Sequence, residues 1–110
     1  MTPEGKVKEK VKTLLRRYVD DGLWYFMPSA SGYGQHGIPD FLVCFHGQLI
    51  AIETKASKAM PTALQKMQMG KLDDAGAIVF VVRDDKDLED VEITLNLILT
   101  KELHETVADE

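Results

Sequence analysis

The sequence predicts an α/β fold, an α+β mixed sheet with helices on both faces, and elements in the order αβββαβα. Three observations predict it. Val7, Val11, Leu14, Leu15 and Tyr18 recur at helical spacing. Two runs, 40–45 and 48–56, flank His46-Gly47 and are apolar on both faces, and a sheet of that kind needs cover on both sides. Residues 77–83 then form an unbroken apolar run, the pattern of a buried strand.

Each element has a local cause. Thr2-Pro3-Glu4 supplies a capping hydroxyl, a first-turn proline and an acid at the positive helix end, so a helix is expected over 3–20 with Gly22 as its stop. Leu23 to Met27 is a short strand ended by Pro28. Residues 29–37 are glycine-rich loop. The two-residue gap His46-Gly47 signals a tight hairpin. Thr62-Ala63-Leu64-Gln65 fits a capping box for a second helix over 61–75, closed by Gly76 in the left-handed region. Leu88, Val91, Leu95, Leu99 and Leu103 mark a third helix within 87–106. Trp24 and Tyr25 are expected in the core, with a stacking platform as the alternative, Cys44 in packing, and Met60, Met67 and Met69 in core or interface.

Composition narrows the function classes. At 110 residues, 45% hydrophobic and 28% charged, the chain suits one modest core. No apolar run approaches the roughly 18 residues of a membrane span. Lys6, Lys8, Lys10 and Lys12 interrupt any secretory apolar stretch. One cysteine permits neither an internal disulfide nor a cysteine-based zinc cage. A reducing, cytoplasmic setting is the expectation. His36, His46 and His104 lack metal-pair spacing, so no zinc site is read from them. The net charge of −5 divides into +4 over residues 1–72 and −9 over 73–110, so a polyanion partner would meet the first two-thirds.

The chemistry follows from the hairpin register. A two-residue turn at His46-Gly47 sets Phe45 opposite Gln48, Leu42 opposite Ala51 and Asp40 opposite Glu53. Alternation then puts Asp40, Glu53 and Lys55 on one face. Two facing carboxylates repel, and a divalent cation between them removes the cost. Carboxylate oxygens with waters and a backbone carbonyl suit Mg²⁺. Lys55 is placed to orient a water or to offset developing negative charge. Glu4, on the buried stripe of the first helix, either steadies the helix dipole or points to the acid pair. Gln65 either completes the capping box or brings its amide to the site.

Gly37-Ile38-Pro39-Asp40, the triplet Glu53-Thr54-Lys55, Pro61-Thr62 with Gln65, and Ala75-Gly76 together resemble the VRR-NUC group of the PD-(D/E)XK nuclease superfamily. Thr2-Pro3-Glu4 is similar to the start of small stand-alone members from bacteriophages and bacteria. The likeness covers about residues 2–83, leaving an acidic helical tail over 84–110, all as one domain. It implies a restriction-endonuclease-like αβββαβ core. It also implies that Asp40, Glu53 and the Thr54 carbonyl hold Mg²⁺ or Mn²⁺, that Lys55 is the catalytic lysine, that Gln65 is the second-helix glutamine and that Glu4 is the first-helix acid. Two positions depart from the family: Gly76-Ala77 stands where Gly-Gly is common, and Met69 stands where wider relatives often have tyrosine.

The resemblance implies a metal-dependent DNA endonuclease, selective for branched DNA in the manner of a Holliday-junction resolvase. It further implies a homodimer in a bacterial cell or phage-infected host. The basic side of the first helix (Lys6, Lys10 and Arg17, or Lys8, Lys12 and Arg16) is expected against backbone phosphates, with Tyr33, Gln35 and His36 as loop contacts. The acidic third helix is a candidate dimer contact or a device that steers DNA to the opposite face. The rivals are a nicking or flap nuclease, a nuclease subunit of a larger complex, and a noncatalytic nucleic-acid or protein adaptor on the same fold.

Overall fold

Thr2 caps the first helix as its sequence predicts, its hydroxyl accepting from the Gly5 N–H at 3.0 Å in the computed structural model, which describes residues 1–29 and 36–108. Helix α1 spans Pro3–Arg16, and a 3₁₀ turn follows over Val19–Asp21. Strands β1 (Trp24–Phe26), β2 (Phe41–Phe45) and β3 (Gln48–Thr54) come next. Helix α2 (Ala63–Asp74), β4 (Ile78–Val82) and α3 (Asp85–Ala108) complete the chain. The first three strands form an antiparallel meander, and β4 adds parallel to β3 after the α2 crossover, giving the sheet order β1-β2-β3-β4. The sheet is therefore mixed, in the expected order of elements. No helix of the described residues is long and apolar enough to cross a membrane.

The turn at His46-Gly47 fixes the register. Both residues take positive φ, 49° and 81°, the requirement of a two-residue turn whose twist matches its strands. The pairs Phe45↔Gln48, Cys44↔Leu49 and Leu42↔Ala51 follow. Phe41, Val43, Phe45, Ile50 and Ile52 therefore share one face. They pack with Val11, Leu14 and Leu15 of α1 and with Val91 and Leu95 of α3 in one core cluster. The opposite face carries Trp24, Phe26, Leu42, Cys44, Leu49, Ala51 and Glu53.

That second face is only partly covered. Helix α2 contributes nothing to the core cluster and lies over the β3–β4 half, where Ala51 is fully buried. Over β1 and β2 the face stays open. Trp24 is 60% exposed and Phe26 51%, their rings stacked with centroids 6.3 Å apart. This corrects the core assignment of Trp24 and the packing assignment of Cys44, which is also exposed. Tyr25, one residue along, does turn inward, its ring 6.4 Å from Phe41. Met69 is buried as expected, whereas Met60 and Met67 lie exposed.

The helix ends differ from the sequence expectation for physical reasons. α1 stops at Arg16 rather than near residue 20 because Tyr18 turns inward: its ring meets Phe45 edge-on at 5.9 Å and its hydroxyl donates to Asn96 Oδ1 at 2.7 Å. Asp20 and Asp21 would also oppose the negative end of a longer helix. Gly22, at φ 99°, therefore closes the 3₁₀ turn rather than α1, whereas Gly76, at φ 102°, follows the end of α2 as predicted. α3 begins two residues early because Asp84 accepts from the Asp87 N–H at 2.9 Å, while the Asp87 carboxylate accepts from the Arg83 N–H at 2.9 Å.

The segment entering β2 is pressed onto α2. Gly37 has φ +83°, and a Cβ there would meet the Leu64 carbonyl carbon and oxygen at 2.6 Å. Three residues later comes Asp40. Gly37→Ala is expected to cost about 1–3 kcal/mol, because backbone strain and a backbone clash act together. Thermal melting checks this, and an unchanged midpoint would show that the segment is not held against α2.

Candidate active site

The ends of β2 and β3 bring the two acids together. Asp40 directly precedes β2 and Glu53 is the penultimate residue of β3. Their carboxyls share a hydrogen bond, as the register demands. Glu53 is 2% exposed, and its Oε2 is a buried oxygen with no hydrogen-bond partner. Burial first, then the hydrogen bond and the negative charge of Asp40, push the Glu53 carboxyl up to about 8. Burial alone would raise Asp40 too. The hydrogen bond from Glu53, the two Thr54 donors and the charge of Lys8 outweigh it and hold Asp40 below the usual carboxylate range.

Asp40 is gripped unevenly. Its Oδ2 accepts from the Thr54 N–H at 2.9 Å and the Thr54 hydroxyl at 2.5 Å. Its Oδ1 faces Lys8 Nζ at 3.5 Å, an ion pair of two partly exposed groups. Lys55 follows Thr54, and its own N–H donates to the Val82 carbonyl at 3.0 Å, extending the parallel pairing one residue past the strand. Its side chain is 13% exposed, with Nζ 3.9 Å from Glu4 Oε1. One turn of α1 thus sends an anion to the site's lysine and a cation to the site's aspartate.

Asp40, Glu53, Lys55, Glu4 and Thr54 therefore converge. Gln65 is committed elsewhere: its side-chain oxygen accepts from the Thr62 N–H at 2.8 Å, and the Thr62 hydroxyl accepts from the Gln65 N–H at 3.2 Å. The capping box that the sequence allowed for is formed, and among the described residues no hydrogen bond joins Gln65 to either acid. Tyr33 and Gln35 lie outside the described residues. His36 is exposed, its carbonyl 3.5 Å from Gln68 Nε2. Of the basic face of α1, Lys10 pairs with Asp85 at 2.8 Å, and Lys6 and Lys10 line a cleft with Arg83 beside the start of α3. Arg17 pairs with Glu92 at 3.7 Å. Lys12 and Arg16 have no ion pair among the described residues.

Three contributors escape sequence reasoning. Lys8 sits four residues after Glu4, so the spacing was available, but its charge suggested a phosphate contact. The Thr54 hydroxyl was overlooked in favour of its carbonyl. Gln68 is buried at 8% exposure one turn beyond Gln65 and approaches the segment that leads to Asp40.

The donor set fits a small hard cation. Among the described residues no group of three or more His, Cys, Asp or Glu side chains is placed to hold a metal ion. Mg²⁺, however, takes one or two carboxylates and keeps several waters. Two touching carboxyls with one orphaned buried oxygen match that demand.

Without a cation, the shared proton has a stability signature. The Glu53 carboxyl is pushed up to about 8 in the folded chain, from an ordinary value of 4.5. The folded state holds the extra proton between those values, so stability falls as pH rises through this window. Thermal melts of EDTA-treated protein are expected to drop from pH 5 to pH 8. Glu53→Gln, which keeps the neutral shape, is expected to flatten that slope. An equally steep slope in the variant would remove Glu53 as the group responsible.

Comparison with known proteins places this geometry. No family model matches the chain, and no curated protein matches it. Among solved structures, the chain is similar to one described as "VRR_NUC domain", with a TM-score of 0.65 and 28% sequence identity over 83% of this chain and 95% of that one. With the four-strand mixed sheet and the Gly-Ile-Pro-Asp and Glu-Thr-Lys segments meeting at one end of it, the chain has a fold similar to that VRR_NUC domain.

Proposed function

We propose that the chain is a metal-dependent endodeoxyribonuclease that hydrolyses phosphodiester bonds and is selective for branched DNA in the manner of a Holliday-junction resolvase. The observation that carries this reading is the Asp40–Glu53 pair with its orphaned oxygen, next to Lys55, on a VRR-NUC fold. Asp40, Glu53 and the Thr54 carbonyl would hold Mg²⁺ or Mn²⁺, which supplies an activated water and neutralises phosphate oxygens.

The chain's own residues do the rest. Thr54 fixes Asp40 through two donors, so the carboxylate is set before substrate arrives. Lys55, mostly buried, orients the attacking water. Glu4 faces the Lys55 ammonium at 3.9 Å and aims it. Lys12 and Arg16 follow Lys8 at four-residue steps of about 6 Å along α1 and offer a track for backbone phosphates. The Gln65 amide, tied into the helix cap, acts through the position of α2.

A homodimer belongs to the same proposal, since paired active sites match a junction of twofold symmetry. The open β1–β2 face supports it: exposed Trp24, Phe26 and Leu49 form an apolar surface of the type that marks interfaces.

Labelled four-way junction, flap and linear duplex, incubated with Mg²⁺ or Mn²⁺, test the function. Junction cleavage is expected to lead, and Lys55→Ala to slow it by at least about a hundredfold. Full activity in that variant removes the lysine's role, and preferred cutting of flaps would replace the junction reading. Sedimentation tests the dimer: a single 12.3 kDa species with and without DNA contradicts it. Trp24→Glu is expected to shift a dimer toward that monomer mass.

A further inference from the structure

We infer that Lys8 is a stand-in cation for the acid pair: its ammonium neutralises Asp40 while no divalent ion is bound, and is released toward the substrate phosphate when one arrives. The inference rests on the metal-dependent reading above and extends it to a residue with two alternative partners.

The two oxygens of Asp40 are held by different kinds of group. Oδ2 meets the Thr54 N–H and hydroxyl at 2.9 and 2.5 Å, donors fixed by the end of β3. Oδ1 faces Lys8 Nζ, the end of a flexible side chain, 3.5 Å away. That spacing is an ion pair rather than a tight hydrogen bond. Oδ1 is thus the exchangeable oxygen of the pair. The Lys8 side chain is 36% exposed, so its ammonium can regain water when displaced, and its compact charge sits on four rotatable bonds.

Charge drives the exchange. A divalent ion at Oδ1 and the Lys8 ammonium within a few ångströms repel each other, so arrival of the ion weakens the Lys8–Asp40 contact. The acid one turn before Lys8 on its own helix, Glu4, already faces Lys55 at 3.9 Å. Outward along the same row lie Lys12 and Arg16, neither ion-paired among the described residues. A displaced Lys8 joins that row at its end nearest the site. Ion arrival would then switch on one phosphate contact beside the scissile bond.

Mn²⁺ titration by calorimetry on intact protein, with no DNA present, tests this without relying on activity. Lys8→Met is expected to bind Mn²⁺ about three- to tenfold more tightly than wild type, the range that removing one partly screened positive charge allows. Lys8→Arg, which keeps the charge, is expected to stay near wild type. A positioning role for Lys8 predicts the reverse, because a loosened Asp40 would bind the ion less well. Lys8→Gln replaces Lys8→Met should circular dichroism show the latter unfolded. Wild-type binding with equal or weaker binding in the neutral variants overturns the Lys8 inference and leaves the metal site standing. A wild type that takes up no Mn²⁺ removes the metal site and this inference together.

Discussion

Two carboxyl groups share one small space because the hairpin leaves them no other. A two-residue turn at His46-Gly47 fixes which residues oppose each other, and a slip of one residue would send Glu53 to the other face. Glu53 is almost completely buried, and one of its oxygens has no donor. A buried polar atom without a partner typically costs about 1–3 kcal/mol. The fold tolerates it here by holding the Glu53 carboxyl well above the usual carboxylate range and by aiming both Thr54 donors at Asp40. The result is one carboxyl held low and one held high, a pair poised to exchange its proton for a metal ion.

The surrounding elements serve that pair. Parallel pairing of β3 with β4 extends to the Lys55 N–H, so the backbone that carries Glu53, Thr54 and Lys55 is pinned from both sides. Gly37 lets the entry to β2 pass against the Leu64 backbone, and no residue with a Cβ fits at that distance. α1 arrives from the core with its N-terminal turn over the site. Its buried stripe of Val11, Leu14 and Leu15 fixes the rotation of the helix, and that rotation decides where Glu4 and Lys8 point.

Much of this was legible in the chain because it depends on local rules. Turn length gave the strand register and the facing acids. A left-handed glycine marked the end of α2 at Gly76, and the Thr62–Gln65 spacing marked a capping box that the structure forms. The misses share a different cause. Apolar alternation does not say how far a helix reaches across a sheet, so Trp24 and Cys44 were assigned to packing on a face that α2 only half covers. A lysine on a basic helix looks the same whether it meets phosphate or aspartate, and only the packing of α1 put Lys8 on Asp40. The early end of α1 came from Tyr18 reaching Asn96, a partner 78 residues away.

The central claim is that the Asp40–Glu53 gap is a cation site, and crystals soaked in Mn²⁺ test it most directly. Anomalous scattering is expected to place a manganese ion between Asp40 and Glu53, with the Lys8 ammonium moved off Asp40. A saturated soak that leaves the gap without an anomalous peak, with Lys8 still on Asp40 and the acids still sharing their proton, would contradict the account.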